Sequence, residues 1–96
     1  MKNLVIIPAY NEEENIEKTI ENLKAKTTLF DYIVINDCST DHTRQICERN
    51  HYPHINLPIN LGIGGAVQTG YLYAWEKGYD TAVQVDGDGQ HDPAFL

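Results

Sequence analysis

Positive charge is scarce in this 96-residue chain: seven Lys and Arg face fourteen Asp and Glu, for a formal charge of -7. A nucleic-acid grip needs clustered basic side chains to displace counterions, so no nucleic acid is expected as a partner. The same shortage excludes docking of this segment on an anionic membrane surface. Long apolar runs are missing as well, and none approaches the roughly twenty residues of a membrane span. The opening "MKNLVIIPAYNEEE" holds too brief an apolar stretch for a signal peptide and runs at once into acid, so the expected compartment is the cytoplasm. Only two cysteines occur, Cys38 and Cys47; they form no C-x-x-C pair and fit reduced thiols. Internal repeats and low-complexity segments are absent. What is left, 42% hydrophobic and 22% charged, suits one small soluble domain.

Two kinds of apolar pattern alternate along it. Residues 3–8 (NLVIIP), 31–36 (DYIVIN), 54–58 (HINLP) and 81–86 (TAVQVD) read as short strands rich in Val and Ile. The first two are almost continuously apolar, as strands buried on both faces of a parallel sheet are. Between the strands, residues 11–26 place Ile16, Ile20 and Leu23 on one helical stripe, with Asn11 and Glu14 in the spacing of an N-cap pair. Residues 41–50 make a shorter helix with Ile46 and Cys47 inward. Residues 62–78 make a third, with Ala66 or Val67, Gly70 or Tyr71, and Ala74 inward, ended by Gly78. Asp92 and Pro93 have the form of a helix start, which makes the chain read as a piece of something longer.

The order β-α-β-α-β-α-β implies an α/β fold: a Rossmann-like open parallel sheet with helices on both faces. Ligands of such sheets bind beyond the carboxyl ends of the strands. The segments that follow the four strands, "AYNEE", "NDCSTD", "NLGIGG" and "GDGQHD", are polar or glycine-rich and are expected to converge on that rim.

The last of these raises a chemical question. In "VQVDGDGQHDP", Asp86 and Asp88 sit two residues apart, so on an extended strand both side chains share a face. Two like charges about 4 Å apart cost on the order of 4 kcal/mol at an effective dielectric of 20. With basic side chains scarce, a divalent cation is the better remedy, and hard oxygen ligands select Mg²⁺ or Mn²⁺. Such an ion, together with helix N-termini beyond the first and third strands, would suit the phosphates of a nucleotide diphosphate. The competing reading is an Asp-Gly turn with no further role. Other phosphate and metal motifs fail: Val67 stands where G-x-G-x-x-G needs its third glycine, no Walker lysine follows, and Gln90 and His91 break a calcium loop.

Taken together, "VIIPAYNEEENI", "VINDCSTDHT", "NLGIGGAVQTG" and "VQVDGDGQHDP" resemble the nucleotide-sugar-binding half of family 2 glycosyltransferases, with the GT-A nucleotide-diphospho-sugar transferase fold, here truncated. The D-x-D-x-Q form is similar to the dolichyl- and polyprenyl-phosphate sugar transferases. The resemblance implies metal-dependent, inverting transfer of a sugar from a UDP- or GDP-linked donor to an acceptor such as a polyprenyl phosphate or a growing polysaccharide of the cell envelope. It places Pro8, Ala9, Tyr10 and Glu12 beside the base and ribose, although Asn11 and Glu12 would equally serve to start a helix. It gives Asp37 a hydrogen bond to base or ribose and sets Asn60, Gly62 and Gly65 beside the nucleotide. Asp86 would hold ribose or metal, Asp88 the metal, and Gln90 would complete the metal shell. Ser39, Thr40 and Asp41 are expected to cap the second helix, and Tyr71, Tyr73 and Trp75 to pack or lie at the surface.

Residues 1–96 are thus expected to form the donor-binding part of one transferase domain. No catalytic residue is expected in this segment, because the family's general base, acceptor site and membrane helices lie downstream. Any membrane association, at the cytoplasmic face, would come through that downstream part, and the fragment alone is expected to be inactive. An exposed sheet edge offers a route to a homo-oligomer. Two alternatives stand beside this reading. One is a sugar-nucleotide pyrophosphorylase, which would want a Gly-rich basic loop where "PAYNEE" is acidic; the other is a non-catalytic nucleotide-binding or assembly module.

Overall fold

The computed structural model describes residues 2–26 and 29–85. Its elements run β1 (Asn3–Ala9), α1 (Ile16–Lys26), β2 (Asp31–Asn36), α2 (Thr43–Arg49), β3 (His54–Asn56), α3 (Gly62–Glu76) and β4 (Thr81–Gln84). All pairings are parallel and the strands lie in the order β3-β2-β1-β4, with Ile6 of β1 opposite Ile33 on one side and Gln84 on the other. The chain therefore winds outward from β1 to β3 and then crosses to the other side for β4. Right-handed crossovers in these two directions put helices on opposite faces. The space between β1 and β4 is the topological switch point, where such sheets receive ligands.

The side-chain period of two sorts β1 between those faces. Val5, Ile7 and Ala9 pack with Ile16, Ile20 and Leu23 of α1 and Ile46 and Cys47 of α2, all buried. Leu4 and Ile6 point the other way, onto Ala66 and Ala74 of α3. Each fully buried Ile of β1 contributes about 2 kcal/mol from its apolar surface alone. On the α3 face the inward positions are Ala66, Gly70 and Ala74, while Tyr71 is exposed. A Cβ at Gly70 would collide with Ile6, so small residues let this helix lie close to the sheet.

Several expected boundaries move. The first helix starts at Ile16 and not at residue 11, because Asn11 has a left-handed φ of 53° and its side chain serves another loop. The turn from Glu12 to Ile16 is closed by the Ile16 N–H on the Glu12 carbonyl at 2.8 Å. The third strand ends at Asn56, although the Leu57 N–H still reaches the Asn36 carbonyl at 2.9 Å; Pro58 has no N–H with which to continue. The fourth is described to Val85, whose N–H meets the Ile6 carbonyl at 2.9 Å; Asp86 and the helix start at Asp92 lie outside the described residues. Helices α2 and α3 both end in Schellman motifs: His51 and Gly78 hold left-handed φ of 58° and 75°, and the N–H groups of Tyr52 and Tyr79 return to the carbonyls of Cys47 and Ala74. Among the described residues no helix is long and apolar enough to cross a membrane.

Candidate nucleotide-binding edge

Three of the four expected segments do meet at the carboxyl edge. Pro8 and Ala9 finish β1 and are buried, Tyr10 emerges 46% exposed, and Glu12 is half-buried in the following turn. Asp37 follows β2 directly; its N–H bonds the Ala9 carbonyl at 2.9 Å and its side chain is only 3% exposed. From the third segment, the Leu61 N–H donates to Asp37 Oδ1 at 2.7 Å and Asn60 Nδ2 to the Asp37 carbonyl at 3.3 Å. Asn60 Oδ1 in turn accepts the Gly62 N–H at 3.0 Å, which fixes the turn into α3 where Gly62 takes a φ of +79°. Asp86, Asp88 and Gln90 lie outside the described residues.

Two relays, absent from any local reading of the sequence, tie the first loop to the second. The Asn11 N–H donates to Ser39 Oγ at 3.0 Å, and that hydroxyl donates onward to Asn36 Oδ1. The Glu12 N–H donates to Thr43 Oγ1 at 2.9 Å, and that hydroxyl donates to Asp41 Oδ1 at 2.6 Å. Asn36, 2% exposed, also donates through Nδ2 to Asn56 Oδ1 at 2.9 Å, so one buried amide links the second loop to the end of β3. Asn11 Oδ1 accepts from the Thr40 N–H, the Thr40 hydroxyl and the Asp41 N–H, at 2.8, 3.2 and 3.3 Å. Asn11 is therefore a brace and caps no helix.

The expectation for the second loop is corrected in part. Ser39 and Thr40 brace the first loop, and of the three expected caps only Asp41 serves α2, accepting the Thr43 N–H at 2.9 Å. Burial pushes the Asp41 carboxyl up, but bonds from the Thr43 hydroxyl and N–H and from the Glu13 N–H outweigh it and leave the group below its ordinary value. Since Asp41 and Thr43 occupy the N–H groups of Glu13 and Glu12, the leading turn of α1 is already served from within the protein. His42, given no role from sequence, closes the same seam through Glu13 Oε2 at 2.9 Å.

Gly65 needs its bareness for a reason internal to the chain: a Cβ there would lie 2.6 Å from Leu61 Cβ. Tyr71 and Trp75 are surface residues and Tyr73 stacks on Tyr79 with ring centroids 6.4 Å apart, as expected of packing and surface positions. Cys47 is buried, and burial pushes its thiol up to about 11, which suits an inert core residue. Among the described residues no group of three or more His, Cys, Asp or Glu side chains is gathered to hold a metal ion.

A doubly wound sheet with three loops laced at one edge is the arrangement in which α/β folds receive ligands. The structure resembles that of TarS 1–349 from S. aureus in complex with UDP, with a TM-score of 0.72 and 31% identity over 92% of this chain and 28% of that one. It shares its fold with the mannosyltransferase PcManGT from Pyrobaculum calidifontis, solved with GDP-Man and Mn²⁺, at a TM-score of 0.74 and 23% identity over 91% of this chain and 27% of that one. In sequence it is 34% identical to the undecaprenyl-phosphate mannosyltransferase of Micrococcus luteus over 101 residues, covering 100% of this chain and 42% of that protein. Residues 4–96 match the model of glycosyl transferase family 2, and the chain belongs to that family. It spans less than half the length of these relatives.

Proposed function

We propose that residues 1–96 are the donor-binding part of a transferase domain that moves a sugar, with inversion, from a nucleotide diphosphate to an acceptor, a polyprenyl phosphate or a growing polysaccharide. The observation that carries this reading is the convergence of Tyr10, Glu12, Asp37, Asn60, Gly62 and Gly65 at the carboxyl ends of β1 and β2. Tyr10 offers an exposed ring on which a base could stack. Asp37 offers a carboxylate already fixed by the Leu61 N–H, an acceptor for N–H or O–H donors of base or ribose. The likeness to a UDP complex supports a nucleotide at this edge.

The described residues alone do not make a metal site. Mg²⁺ or Mn²⁺ would be held by Asp86, Asp88 and Gln90, which follow Val85 in sequence. When bound, the ion supplies positive charge to a diphosphate leaving group. Asp37 and Tyr10 hold and orient the nucleoside, and the braces on Asn11 and Asn36 keep both loops from drifting. Acceptor and general base belong to the longer protein, at the cytoplasmic face of a membrane where the acceptor is a lipid phosphate.

Calorimetric titration of the chain with UDP and with GDP, each with and without Mn²⁺, tests the reading. Binding that needs Mn²⁺ and weakens at least about tenfold, roughly 1.4 kcal/mol, in Asp37→Ala and in Asp88→Ala is the expected result. Binding that ignores both the ion and Asp88→Ala would reject the metal-dependent transferase and leave a non-catalytic nucleotide-binding module.

A further inference from the structure

Gly65 lies one turn into α3, and the family resemblance gives it the role of a bare surface beside a nucleotide. The structure adds a reason internal to the chain. A Cβ at this position would sit 2.6 Å from Leu61 Cβ, with Cδ1 and Cγ of the same side chain at 3.5 and 3.6 Å. Residues four apart on a regular helix do not approach so closely at Cβ. The left-handed backbone of Gly62, φ +79°, folds residue 61 back across the first turn, and Leu61 then occupies the space that a side chain at 65 would take. The same fold-back aims the Leu61 N–H at Asp37 Oδ1, 2.7 Å away. Asn60 completes the clasp from its other side, through the Asp37 carbonyl. Gly64, next door, carries no such demand, for a Cβ there would meet nothing within 4 Å.

We propose that Gly65 is a positioning residue: by leaving room for Leu61 it lets the Leu61 N–H hold the Asp37 carboxylate in its orientation at the rim. This rests on the reading of Asp37 as a nucleotide contact and deepens it. Any side chain at 65 displaces Leu61, withdraws the N–H and frees Asp37 to turn, although residue 65 touches no ligand. The displacement has a specific remedy. The crowding atom is the Cβ of residue 61, so Leu61→Gly removes it while keeping the N–H. Leu61 is 47% exposed, so that change sacrifices little core.

Two readouts on the chain separate the clasp from the function beneath it: amide hydrogen exchange at residue 61, and affinity for UDP and GDP in the presence of Mn²⁺. Gly65→Ala is expected to lose protection at amide 61 and to weaken nucleotide binding about tenfold. Gly65→Ala/Leu61→Gly is expected to regain both, and Gly64→Ala to change neither. If the double variant restores amide protection but not affinity, glycine is needed by the ligand itself and the positioning role is overturned. If amide 61 stays protected in Gly65→Ala, the clasp does not depend on residue 65 and the proposal also fails. A wild-type chain that binds neither nucleotide rejects the donor-site reading, while exchange at amide 61 still decides the clasp.

Discussion

The two ends of the sheet are held together in different ways. At the amino edge the hub is backbone: the Lys2 N–H meets Asp80 at 2.7 Å and the Lys2 carbonyl accepts the N–H groups of Asp80 and Thr81 at 2.8 and 3.2 Å, while the Lys2 ammonium reaches the Lys77 carbonyl at 3.0 Å and the Tyr79 hydroxyl meets Asp31 at 2.7 Å. At the carboxyl edge the hub is a side chain, for Asn11 Oδ1 alone serves Thr40 and Asp41. Both ends also hold residues other than glycine in left-handed backbone, His51 below at a φ of 58° and Asn11 and Cys38 above at 53° and 59°. Below, that conformation merely ends a helix. Above, it turns a side chain into the other loop. An end that only ties strands together tolerates loss of one pair, whereas an end that orients a site depends on connected groups.

Substituting glycine at Asn11 and at His51 breaks the comparison most directly. Asn11→Gly keeps the backbone free to adopt its φ but removes the acceptor of the second loop, and a net loss of about 1 to 2 kcal/mol is expected in urea unfolding. Nucleotide binding should weaken with it, because Tyr10 and Glu12 flank the brace. An unchanged midpoint would show that the lacing of the two loops is ornamental to stability.

The ends should also fail at opposite extremes of pH. Asp41 sits below its ordinary value of 3.8, so the folded protein binds that proton less readily than the unfolded chain. Its contribution is present above about pH 4 and is lost as pH falls through the lowered value. Tyr79 at the amino edge is raised from 10.0 to about 12, by burial first and then by its bond to Asp31. There the folded state holds the proton more tightly, so the contribution is present below pH 10 and is lost as pH rises towards 12. Tyr52, raised by burial and by its bond to Glu21, adds to the same alkaline loss. Melting series over both ranges should find the acid loss reduced in Asp41→Asn and the alkaline loss reduced in Tyr79→Phe. A common response of both variants at both extremes would erase the distinction between the ends.

The same contrast explains what could be read from the sequence. The strands and the inward stripes of α1 and α2 were legible because burial on a periodic pattern is a local signal: Ile16, Ile20, Leu23, Ile46 and Cys47 are all inward. The amino edge uses Gly78 to end α3, again a local rule. At the carboxyl edge local rules misled. Asn11 and Glu14 have the spacing of a cap, yet the partners of Asn11 are 29 and 30 residues away and outweigh it. Asp37 could be singled out by motif, but its bond to Leu61 spans 24 residues and leaves no mark in either segment alone. The demand of Leu61 on Gly65 left no local mark either, since only the fold-back at Gly62 brings Leu61 over it.

The smallest expected effect comes from His51. His51 occupies the position after the cap of α2 where glycine is usual, and its N–H reaches the Glu48 carbonyl at 3.2 Å as the motif requires. A side chain in that conformation costs roughly 1 to 2 kcal/mol, part of which glycine returns through the entropy of the unfolded chain. His51→Gly is therefore expected to stabilise the protein by about 0.5 kcal/mol and to leave nucleotide affinity untouched. Because the substitution and the backbone conformation match those of Asn11→Gly, the opposite sign of the two effects isolates what the Asn11 side chain does. Destabilisation by His51→Gly would mean that the amino edge, too, relies on a side chain at its turn, and the contrast between the two ends would have to be abandoned.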